Sequence, residues 1–190
     1  DVFLNLNHQA SVDAFKKLGL NAWTDDLKAA AILFETGKID ELQFMETIQK
    51  NLPNANLVEI REAWNAIIGD FPLERLEVLE KLQNKYDIFL LSNTNPTHIE
   101  KFEHRVGLTF AREFYAHFNK IYFSYEIKER KPDAAVFNLI LKQNNLNPKK
   151  TLFVDDTIEH IEAAKALGIN TWQIRVGQDD VTHLFDKKIV

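Results

Sequence analysis

The chain has 190 residues, 45% hydrophobic and 27% charged, which suits one good-sized globular domain or a core with a small insert. Its 23 Lys and Arg are scattered among 28 Asp and Glu, a net charge of -5, so it lacks the basic stripe that nucleic acid requires. No apolar run approaches the roughly 18 residues of a membrane helix, and the absence of cysteine excludes a disulfide framework, a thiolate metal site and a cysteine nucleophile; a cytoplasmic protein with no membrane partner is expected.

The chain divides near residue 72. Before that point the pattern is helical. Val12, Phe15 and Leu18 recur at helical spacing and Gly19 closes the run; Leu27, Ala30, Ala31 and Phe34 repeat the period up to Gly37. Asp40 with Gln43 reads as a variant capping box, followed by a stripe of Leu42, Phe44, Met45 and Ile48. Leu57, Ile60, Trp64, Ile67 and Ile68 make a fourth stripe, ended by Gly69. Four such helices predict a small antiparallel bundle, with Trp23, Phe34 and Trp64 in its core.

After Pro72, helix and strand alternate. Residues 73–84 read as a helix and 87–91 as a continuous apolar strand; Asn95 and Pro96 then cap and start a helix. Strands are expected at 121–125, 151–154 and 170–176, with helices at 134–144 and from about Thr157 to Gly168. Such alternation predicts an α/β fold, a parallel sheet covered by helices.

Ligands of such sheets bind beyond the carboxyl ends of the strands, so the polar residues delivered there matter most. The first strand ends in Ser92-Asn93-Thr94-Asn95, the third in Asp155-Asp156, and the second leads to Arg130-Lys131-Pro132-Asp133. Adjacent carboxylates repel unless a cation or a shared proton relieves them, and magnesium prefers such oxygen ligands. An isolated Asp-Asp more often caps a helix, Ser92 alone reads as a turn residue, and Lys131 alone as a solvated lysine. Together at neighbouring strand ends they read as a site. Ser92 and the Asn93 amide would donate to a phosphoryl oxygen, and Lys131 would supply fixed positive charge. His98, in the first turn of its helix, reads as a packing residue; His104, His117, His160 and His183 show no ligand spacing with the acids.

These motifs resemble those of the haloacid dehalogenase (HAD) superfamily. Leu90-Leu91-Ser92-Asn93-Thr94-Asn95 is similar to its second motif, Arg130-Lys131-Pro132-Asp133 to its third, and Leu152-Phe153-Val154-Asp155-Asp156 with the helix through Gly168 to its fourth. Glu35-Thr36-Gly37-Lys38-Ile39 with Phe44 resembles a cap signature of the subgroup that includes α-glucose-1-phosphate phosphatase and the phosphatase domain of epoxide hydrolases. The resemblance implies a HAD-like Rossmannoid core (1–7 and 73–190) with an inserted four-helix-bundle cap of the C1 type (8–72). It also implies a Mg2+-dependent phosphatase acting on a small-molecule phosphate ester, with a sugar phosphate as the best guess, through an aspartyl-phosphate. Asp155 and Asp156 would be the metal pair, with Asp156 the more direct ligand, and Ser92, Lys131 and Asp156 the catalytic set.

Val2-Phe3-Leu4 aligns with the tail of the first family motif. In that register the nucleophilic Asp falls four residues before Val2 and the acid/base position two before it, so the polypeptide is expected to begin further upstream. Two other readings share the pattern: a metal-independent 2-haloacid dehalogenase, against which the paired acids argue, and a non-catalytic member that binds a phosphorylated ligand or partner.

Overall fold

Helix starts in the N-terminal part of the chain are set by side chains that accept a hydrogen bond from an otherwise unpaired backbone amide. In the computed structural model, which describes residues 1–186, the Asn7 side chain accepts from the Ala10 amide at 2.9 Å to open α1 (His8–Leu18), and Gly19 ends it at a φ of 104°. Thr24 caps α2 (Asp25–Glu35). The expected box of Asp40 and Gln43 opens α3 (Glu41–Gln49), and Asn56 with Glu59 forms a second at α4 (Leu57–Asn65). Each such cap stabilises its helix by about 1 kcal/mol.

The inward faces of these helices share one core of Phe15, Leu27, Phe34, Phe44, Ile48 and Ile60. Phe34 stacks on Phe44 at 4.7 Å, Phe44 meets Trp64 edge-on at 4.8 Å, and Trp23 packs between Phe15 and Trp64. The aromatic residues expected in the bundle core are there. Two expected stripe members are not: Leu42 and Val12 are 54% and 39% exposed. In α3 the inward side is carried by Phe44, Met45 and Ile48, and Leu42 sits outside that arc. Gly37 follows α2 at a φ of +59°, with Lys128 Nζ donating to its carbonyl at 2.7 Å. A Cβ at Gly37 would lie 2.2 Å from the Tyr125 carbonyl oxygen.

The later elements are α5 (Glu74–Leu82), β1 (Phe89–Ser92), α6 (Pro96–Val106), α7 (Leu108–Ala116), β2 (Lys120–Phe123), α8 (Ser124–Ile127), α9 (Ala134–Gln143), β3 (Leu152–Asp155), α10 (Ile158–Ala166) and β4 (Asn170–Gln173). This is the α/β fold with parallel strands that the alternation predicts. β1 pairs with β2 from Phe89↔Lys120 to Ser92↔Phe123, and β3 with β4 from Leu152↔Asn170 to Asp155↔Gln173. Among the described residues the ladders form two sheets of two strands and not one continuous sheet. Ser92 and Asp155 are themselves ladder residues, so β1 and β3 each run one residue past the expected end. Tyr125 was expected in a strand and lies instead in α8, and α7 was not anticipated. No helix among the described residues is long and apolar enough to cross a membrane.

Two compact units result. One comprises Asp1–Asn5, Phe71–Lys85 and the chain from Glu129 on; the other comprises Leu6–Asp70 and Tyr86–Lys128. Residues 86–128 thus group with the bundle helices, because α4 packs on α6 and α2 on α8. In the first unit Val78, Trp172, Ile174, Val181 and Leu184 form the core, and the Arg75 guanidinium donates to Asp180 and to the Phe3 carbonyl.

In the second unit the turn after β1 is held by a polar network around Asn95, which is fully buried. Asn95 Oδ1 accepts from the His98 amide at 3.1 Å, the Thr97 hydroxyl at 2.9 Å and Trp64 Nε1 at 3.4 Å. Its Nδ2 donates to His98 Nδ1 at 3.0 Å, which leaves His98 Nε2–H to donate to the Trp64 carbonyl at 3.3 Å. The imidazole stacks on Trp64 with centroids 4.9 Å apart, the packing role expected of it. Both bonds suit a neutral ring, and burial lowers its pKa to about 4 against the opposing pull of the Trp64 carbonyl.

Between that value and the ordinary 6.5, the unfolded chain binds a proton that the folded one refuses. The stability His98 contributes is complete above about pH 6.5 and is lost as pH falls from there through about 4, a change on the order of 3 kcal/mol. Urea unfolding followed from neutral pH into this window should show the loss, and His98→Gln should flatten it. An identical pH slope in the variant would show that His98 is not the responsible group.

Candidate active site

β3 carries a continuous apolar run into a carboxylate. Its last residue, Asp155, is 3% exposed and shares the ladder with Gln173; the next turn opens α10. A carboxylate in this position must be met by donors, since an isolated buried charge is very costly. Asp155 has them. Its Oδ2 accepts from Lys131 Nζ at 2.6 Å; its Oδ1 accepts from the Thr157 amide at 2.9 Å and from His160 Nδ1 at 3.0 Å. A carboxylate can only accept, so His160 carries its proton on Nδ1 in this pair. Burial favours the protonated acid, but the His160 bond, the Lys131 charge and the Thr157 amide outweigh it and hold the Asp155 carboxyl well below the usual carboxylate range. Lys131 comes from the loop before α9 and is itself buried, its ammonium 5.6 Å from the centre of the Phe153 ring.

Asp156 differs from its neighbour. Its side chain is 26% exposed, and Oδ1 accepts from the Asp1 backbone nitrogen at 3.2 Å. Its main-chain oxygen accepts from Gln173 Nε2, which fixes the strand-to-helix turn. The pair is therefore split in role, with Asp155 committed to protein donors and Asp156 turned to solvent. A solvent-facing carboxylate oxygen is a donor that fits magnesium, which keeps several waters and needs only one or two carboxylates. Among the described residues, no cluster of three or more His, Asp or Glu adds to it.

The structure thus brings Lys131 and Asp155 into direct contact with Asp156 adjacent. Ser92 and Asn93 belong to the other compact unit, where Ser92 ends β1 opposite Phe123. The turn that follows them is pinned by Ser124, whose hydroxyl accepts from the Thr94 amide at 2.9 Å and donates to the Thr94 carbonyl at 3.0 Å. Two residues at these sites escaped the sequence reading. Ser124 was assigned to a strand, although serine directly after an apolar run is a turn signal. His160 was set aside for lack of ligand spacing, yet its place in the first turn after β3 puts its ring on Asp155.

Comparison with known proteins agrees with this geometry. The family model of the haloacid dehalogenase-like hydrolases matches residues 5–168. The chain belongs to that family. It is 29% identical over 185 residues to a D-ribitol-5-phosphate phosphatase of Bacteroides thetaiotaomicron, covering 94% of this chain and 89% of that protein. A HAD-family enzyme of the same organism, crystallised with magnesium and inorganic phosphate, superposes with a TM-score of 0.80 at 30% identity, over 96% of this chain and 93% of that one. The L-2-haloacid dehalogenase of Xanthobacter autotrophicus shares the fold, with a TM-score of 0.58 at 15% identity over all of this chain and 80% of that one.

The ion pair makes a measurable demand on stability. Breaking a buried pair from one side leaves an uncompensated charge and costs about 3–5 kcal/mol, whereas replacing both partners with apolar groups costs much less. Lys131→Met should be destabilising on that scale, and Lys131→Met combined with Asp155→Asn, which removes the charge but keeps an acceptor for the Thr157 amide and His160, should recover most of the loss. A double-mutant cycle by chemical denaturation reads this directly; additive losses would mean the two groups are not coupled.

Proposed function

We propose that this hydrolase is a magnesium-dependent phosphatase of a small phosphorylated metabolite, with a sugar or sugar-alcohol phosphate as the substrate class. The observation that carries the reading is the buried Lys131–Asp155 pair beside the solvent-facing Asp156 at the end of β3. The substrate class is supported by likeness over nearly the whole chain to a D-ribitol-5-phosphate phosphatase.

In this reading each residue does what its surroundings favour. The Lys131 ammonium, held by Asp155 and shielded from water, stabilises the negative charge of the phosphoryl group more strongly than a solvated lysine would. Ser92 donates its hydroxyl, and Asn93 its backbone amide, to phosphoryl oxygens. Attack on phosphorus by the aspartate of the first family motif breaks the ester P–O bond, expels the sugar alcohol and gives the aspartyl-phosphate that the family resemblance implies; water then releases phosphate. Asp156 would hold magnesium, which when bound supplies neutralisation of the charge that builds at phosphorus. Asp155 serves Lys131 first and would reach the metal through water. Residues 8–72 act as the cap, selecting substrate and excluding water.

A panel of sugar and sugar-alcohol phosphates, assayed on the full-length polypeptide with magnesium and with EDTA, tests the proposal. Phosphate release should depend on magnesium, Asp156→Asn should abolish that dependence together with most activity, and Lys131→Ala should lower kcat by about 10²–10³-fold. Turnover indifferent to EDTA, or halide release from a 2-haloacid, would overturn it.

A further inference from the structure

We propose that His160 is a positioning residue: by holding Asp155 Oδ1 it fixes the carboxylate that in turn fixes the Lys131 ammonium. The inference rests on the phosphatase reading for its kinetic consequence and on geometry for its structural one. The terminal torsion of an aspartate is broad, so one hydrogen bond to one oxygen leaves the carboxylate able to turn. Here Oδ1 receives two donors from the turn and helix that follow it, the Thr157 amide at 2.9 Å and His160 Nδ1 at 3.0 Å. With Oδ1 held twice, Oδ2 has one place, and Lys131 Nζ meets it there at 2.6 Å.

The surroundings give this arrangement strength. The His160 and Asp155 side chains are 14% and 5% exposed, and that of Lys131 is 9% exposed, so the three groups interact with little water between them. His160 sits on α10 one turn past Thr157, and its backbone amide donates to the Thr157 carbonyl at 3.1 Å. That bond ties the ring to the turn that also supplies the other donor. The arrangement is a relay of position and moves no proton: imidazole to carboxylate, carboxylate to ammonium, ammonium to the phosphoryl oxygens. Its loss leaves substrate contacts in place but lets the charge wander as it is needed at the transition state. Small displacements of this kind lower kcat more than they raise KM.

Two substitutions separate position from mere packing. In asparagine the amide nitrogen stands one bond beyond Cγ, where histidine has Nδ1, so His160→Asn keeps a donor at the same reach. His160→Leu keeps bulk and removes the donor. On the best-hydrolysed phosphate ester with magnesium, His160→Leu should lose about tenfold in kcat with KM within about twofold, and His160→Asn should return to within about threefold of the parent. Independently of turnover, the Lys131 ammonium signal in nitrogen-detected NMR, assigned by its absence in Lys131→Met, should be sharp in the parent and in His160→Asn and broadened in His160→Leu. Unchanged kcat in His160→Leu, or equal losses in both variants, overturns the proposal. Should the full-length parent hydrolyse no ester, the phosphatase reading falls and the NMR comparison alone decides, identical Lys131 signals in all three proteins counting against His160. If His160→Leu does not fold, His160→Ala carries the same expectations.

Discussion

A carboxylate taken out of water must be met on both oxygens, and much of the first compact unit is organised around meeting that demand at Asp155. The strand that delivers it, the turn that supplies the Thr157 amide, the helix that carries His160 and the loop that carries Lys131 all converge on two oxygen atoms. A buried ion pair of this kind contributes little net stability, because desolvation offsets most of the attraction. What it does supply is position. The ammonium of Lys131 is confined beside the Phe153 ring, whose other contacts include an edge-on packing with Phe137 at 5.2 Å. A surface lysine would retain its rotamer freedom and its hydration shell, and would be a weaker partner for an anion.

The second unit solves a comparable problem with neutral groups. Asn95 has no charge to offer, yet its amide both caps α6 and joins Trp64, Thr97 and His98. The bond from Asn95 Nδ2 to His98 Nδ1 depends on an uncharged imidazole. The same chain therefore contains two buried polar clusters with opposite logic: around Asp155 ionisation is reinforced, and around His98 it is suppressed. Both stand beside the first residues after a strand, where an α/β fold presents its chemistry.

Much of this was legible in the sequence, for identifiable physical reasons. Apolar runs such as 87–91 and 151–154 have one stable use at their length, and the Asp40–Gln43 box and the Asn95-Pro96 start are local signals that need no tertiary context. Strand ends were less legible. A polar residue such as Ser92 or Asp155 can extend a ladder because pairing uses the backbone, whereas pattern reading stops at the first polar side chain. Leu42 was misjudged because helical period alone does not say where the arc of burial stops. α7 was missed because it follows α6 after a single residue, Gly107, with no side-chain cap to announce it. In the candidate site, Lys131, Asp155 and Asp156 stood out as residue types, but the unequal roles of the two acids did not. Adjacent residues on a strand end point in different directions, so one entered the interior and the other faced solvent. His160 was invisible to a search for metal-ligand spacing because its partner is a carboxylate across a strand-to-helix turn.

Gly37 carries a consequence of a different kind. Its backbone runs so close to the Tyr125 carbonyl that no side chain fits, and its left-handed conformation disfavours every other residue independently of space. The position is closed twice over to ordinary sequence drift. A lineage that keeps this contact has to keep the glycine, and one that loses the glycine has to rebuild the path of residues 125–128 as well. Sequence change in descendants of this protein is therefore freer at surface positions of the neighbouring helices than at the loop that joins them.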